Sequence, residues 1–98
     1  MPDIPPRGSA AEKPPVTEQP EWESVLRPWL EDVLASLGLD GEAVDVDRVH
    51  GTTSVVAHDV QRSMAPIASY LVGVAVGRGM SLEEACRTVE RATVERGR

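Results

Sequence analysis

Phenylalanine is absent from this 98-residue chain, and its aromatic side chains are Trp22, Trp29 and Tyr70 alone. A core must therefore be built from Val, Leu and Ala. Side chains of that size let helices approach closely and leave little room for a deep ligand cavity. Cysteine is equally scarce. Cys86 stands alone, which excludes an intramolecular disulfide and a cysteine-based zinc site and fits a reducing, cytoplasmic setting. Cations are outnumbered, 10 Lys and Arg against 16 Asp and Glu. That balance argues against a nucleic-acid surface, because phosphates are neutralised by clustered Lys and Arg. Long apolar runs are missing too. The longest, Ile67 to Gly77, is too short to span a bilayer, so no membrane role is expected. The first residues lack a basic region followed by an apolar run, so no signal peptide is expected.

What is present is unevenly distributed. Six of the eight prolines fall within residues 1–20, a segment without apolar periodicity. Such a segment buries too little surface to offset its ordering entropy, and it reads as a disordered arm. Residues 21–96 remain for one small folded domain, whose stability is modest or assisted by a partner. Asp40, Glu42, Asp45 and Asp47 make residues 38–47 wholly acidic, whereas residues 48–80 carry Arg48, Arg62 and Arg78 against Asp59. An asymmetry of this kind orients a partner, or it is simply a solvated acidic loop.

Four helices are predicted. Trp22, Val25, Leu26, Trp29, Leu30, Val33, Leu34 and Leu37 repeat at three- and four-residue steps, the signature of an amphipathic helix. Pro28 interrupts it on the polar side: either the helix starts near Pro28, or Pro20 starts it and Pro28 bends it, and the stripe, in phase on both sides, favours one kinked helix; Gly38 is its natural C-terminal cap. A second helix is expected from Asp45 to about Ser63, with Val46, Val49, Thr53, Val56, Ala57, Val60 and Met64 facing inward and Gly51 weakening it. A strand over Val44–Val49 is disfavoured for want of a pairing partner. Pro66 opens the third helix, whose expected apolar face is Ile67, Tyr70, Leu71, Val74 and Ala75, ending between Gly77 and Gly79. Ser81-Leu82-Glu83-Glu84 is a capping box for the fourth, which buries Leu82, Ala85, Cys86, Val89 and Ala92. Glu83 and Arg87 are spaced as a helical ion pair. Short links between four helices predict an all-α fold, a compact antiparallel bundle.

Chemistry-bearing residues are few. His58 and Arg62, four apart, would share a helix face and could hold a phosphate or carboxylate beside the start of the helix at Pro66. The plainer alternative is that both line a solvated surface. His50 and His58 diverge too far to share a metal, and no HExxH or paired-cysteine pattern exists. Cys86 falls on an apolar face, where cysteine is usually a small hydrophobe. Gly73, Gly77 and Gly79 follow no strand and precede no Lys-Ser/Thr, so they are not a phosphate loop. Ser69, Gly73 and Gly77 form a small-residue row that lets another helix approach; an internal neighbour is preferred, and a helix of a second protein is the alternative. Trp22, next to the arm, is the better candidate for an exposed interface anchor.

Three segments carry a resemblance: RPWLEDVLASLGLD, VDVDRV and, above all, VAHDVQRSMAPIASYLVGVAVGRG. From Arg27 to Ala92 the chain resembles a small uncharacterised actinobacterial helical domain, found alone or attached to nucleotidyltransferases of the molybdenum-cofactor guanylyltransferase type. Ser63-Met64 departs from the Pro-Ala common there, which implies a less rigid helix junction. The resemblance implies a place near molybdopterin guanine dinucleotide synthesis or molybdoenzyme maturation, without implying catalysis. The expected function is a non-catalytic accessory module that binds a protein partner, such as that nucleotidyltransferase or a maturation factor. No cofactor is expected, and a homo-oligomer is an open alternative. A second hypothesis is a binder of a small anion (phosphate, nucleotide or pterin) through His58 and Arg62. An enzyme with His58 as acid–base ranks last, lacking a nucleophile and a metal set.

Overall fold

The computed structural model describes residues 14–96. Among these the secondary structure is wholly helical, with no strand, and the class is all-α with four α-helices. The chain divides into two compact units, Met1–Val44 and Asp45–Arg98.

In the first unit, residues 1–13 of the expected arm lie outside the described residues. Residues 14–20 hold a 3-10 turn, Val16–Glu18, in which the Glu18 N–H donates to Pro15 O at 2.8 Å. A π-helical segment, Trp22–Leu26, runs directly into helix α1, Arg27–Ser36. The expected kink is thus a widened turn. Pro28 has no N–H for the carbonyl four residues back, and its ring would clash there. The wider turn relieves this, and the Arg27 N–H reaches Trp22 O, five residues back. Gly38 ends α1 at φ +74°, with Gly38 N–H to Ala35 O at 3.0 Å and Leu39 N–H to Leu34 O at 2.7 Å. That pair of bonds is the Schellman cap. Neither helical segment of this unit buries a residue.

The second unit holds α2, Val46–Asp59; a 3-10 turn, Arg62–Met64; α3, Ala65–Gly77; and α4, Leu82–Arg96. Each α-helix packs against the other two. Asp45 caps α2 by accepting the Arg48 N–H at 3.1 Å, which settles VDVDRV as a helix start. The second helix was expected to reach Ser63, and it stops at Asp59. Val60 and Gln61 both donate to Val56 O, and Gln61 is then extended at φ −173°. The break lies at Val60–Gln61; beyond it the Arg62–Met64 turn leads directly into α3, with Pro66 in its favoured first turn. Gly79, at φ +107°, closes α3 with a second Schellman cap to Val76 O and Ala75 O. Ser81 Oγ accepts the Glu84 N–H at 3.0 Å and starts α4.

Small side chains make the core. Val72, Ala85 and Cys86 are buried together, with Ala75, Val76, Leu82 and Val89 packed round them, and Thr52 and Val56 are buried on α2. The face expected for α3 needs correction. Its buried residues are Ala68 and Val72, whereas Ile67, Tyr70 and Leu71 are exposed. The helix is apolar on every side, so its pattern selects no face, and close packing draws the small residues inward. On α4, Thr93 is buried in place of Ala92, with its hydroxyl donating to Val89 O at 2.6 Å.

Candidate functional site

His58 lies in the last turn of α2 and Arg62 in the 3-10 turn beyond it, with extended Gln61 between them. The four-residue helical spacing that would align their side chains is therefore interrupted. The His58 side chain is 88% exposed, and its Nδ1 is 2.7 Å from Asp59 Oδ1. A carboxylate at that distance opposes a second anion. Pro66 stands exposed in the first turn of α3. Among the described residues, no group of three His, Cys, Asp or Glu is placed to hold a metal ion.

The best-organised polar cluster is elsewhere, and joins residues that no motif in the sequence links. Arg48 on α2 donates from Nε to Glu83 Oε1 at 2.7 Å and from Nη1 to Glu90 Oε2 at 2.6 Å, both on α4. Thr52, almost wholly buried, donates to the same Glu90 oxygen at 2.6 Å and accepts from Arg48 Nη1 at 3.0 Å. The hydrogen-bonded guanidinium holds the Glu90 and Glu83 carboxyls below their ordinary values, and the carboxylates raise the Arg48 pKa in return. Every group is engaged within the cluster, which clasps α2 to α4. The sequence signal was faint, one arginine in the first turn of α2, and the threonine expected to face inward was Thr53, whereas Thr52 is the buried one.

The exposed side of α3 is different in kind. Ile67, Tyr70 and Leu71 are 47%, 69% and 54% exposed. The surface continues into an open groove of about 490 Å³ lined by Leu71, Val74, Ala75, Arg78, Met80 and Glu84. Residues 60–82 contain no carboxylate, so Arg62 before α3 and Arg78 after it are its nearest charges in sequence. Glu84, on α4, lies on the groove rim. The small-residue row needs correction here. Gly73 and Gly77 are exposed, and a Cβ at either would meet no heavy atom within 4 Å among the described residues, so within the second unit no helix packs on the row. Ser69 is half-buried.

Trp22 is half-buried in the π-helical segment, and Trp29, at 61% exposed, is the more open of the two tryptophans. The expected ranking of the pair is reversed, because the π turn alters the register between them.

Residues 21–97 match the family described as Domain of unknown function (DUF6457). The chain belongs to that family. Comparison with curated proteins and with solved structures returned no match. The DUF6457 span takes in all four α-helices, the Arg48 clasp and the α3 face, and leaves out the proline-rich segment. Among the described residues of this DUF6457 domain, no helix is long and apolar enough to cross a membrane.

Proposed function

We propose that this domain is a non-catalytic interaction module that presents the outer side of α3 to another protein. The observation that carries this reading is the exposure of Ile67, Tyr70 and Leu71 on a helix without a charged residue. Each of these three side chains is already about half covered, so leaving the rest of it in water forgoes about 1 kcal/mol that a partner would supply. The partner that fits is an amphipathic helix with acidic margins, laid between Arg62 and Arg78. In cellular terms the reading is an accessory role in molybdenum-cofactor biosynthesis or molybdoenzyme maturation. That placement is supported by the resemblance at VAHDVQRSMAPIASYLVGVAVGRG.

The test is co-purification from the source cells with wild type and Leu71→Glu, helical content being checked by circular dichroism. A partner held by wild type and released by folded Leu71→Glu is the expected result. Retention of every partner by the variant would sink the reading. A set of partners without any molybdenum-cofactor protein counts against the cellular placement alone.

A further inference from the structure

We draw no further inference here: the strongest candidate, the open groove beside α3 lined by Leu71, Val74, Ala75, Arg78, Met80 and Glu84, belongs to the docking surface already described, and nothing in the structure shows what covers it.

Discussion

At the scale of single residues, glycines of one type do opposite work. Gly73 sits inside α3 with nothing within 4 Å of a built Cβ, so Gly73→Ala adds a better helix former at no steric cost. It is expected to stabilise the domain by about 0.5–1 kcal/mol, read as a rise of several degrees in Tm. Gly79 also has open space around it, but its φ of +107° is one that L side chains rarely adopt. Gly79→Ala is therefore expected to cost about 1–2 kcal/mol in the same measurement. Equal effects of the two substitutions would refute the backbone argument, since the surroundings are alike and only the dihedral differs. Thr52 offers a separate check. Its almost wholly buried hydroxyl serves Arg48 and Glu90. Thr52→Val is expected to cost about 1 kcal/mol in urea denaturation, the usual worth of a lost hydrogen bond.

At the scale of elements, the helices were legible wherever a stop or start signal was chemical. Asp45, Ser81, Gly38 and Gly79 mark ends by hydrogen-bonding or dihedral requirements that hold in any tertiary setting. The end of α2 was not legible. Val60 and Met64 continue its apolar stripe, and no glycine or proline marks the break at Val60–Gln61. The candidate site suffered from that same misplaced boundary, because the His58–Arg62 pairing depended on an unbroken helix. The α3 face was illegible for a different reason. Periodicity reveals orientation through contrast between polar and apolar sides, and α3 supplies none. The Pro28 junction yields a prediction at this scale. Pro28→Ala restores the N–H that the α-helical ladder requires, so the π-helical segment Trp22–Leu26 is expected to tighten into α-helix. The medium-range backbone NOE pattern over residues 22–28 reads the change directly. Persistence of the wide turn in the variant would mean that something other than the proline holds it open.

At the scale of the whole molecule, the Arg48 clasp ties residues far apart in sequence, Arg48 to Glu83 and to Glu90, and so links acid stability to the fold of the second unit. Both carboxyls titrate below their ordinary value of 4.5 in the folded chain, chiefly because each accepts hydrogen bonds from the guanidinium. A depressed folded pKa means that the unfolded chain takes up protons first as acid is added. The contribution is therefore fully present above about pH 5 and is lost as pH falls through the ordinary value and then the folded one. Arg48 adds no slope there, since its raised pKa keeps it charged throughout. Urea midpoints measured from pH 7 down to 2.5 are expected to be level at first and then to fall. In Arg48→Met, which keeps an unbranched apolar stem and removes the charge, the midpoint is expected to be lower at neutral pH, where Glu90 is left half-buried without its cation. The variant's acid slope should be correspondingly shallower, so that the two curves converge as pH falls below the ordinary carboxyl value. Parallel curves across the whole range would show that the clasp is not what couples this fold to protons.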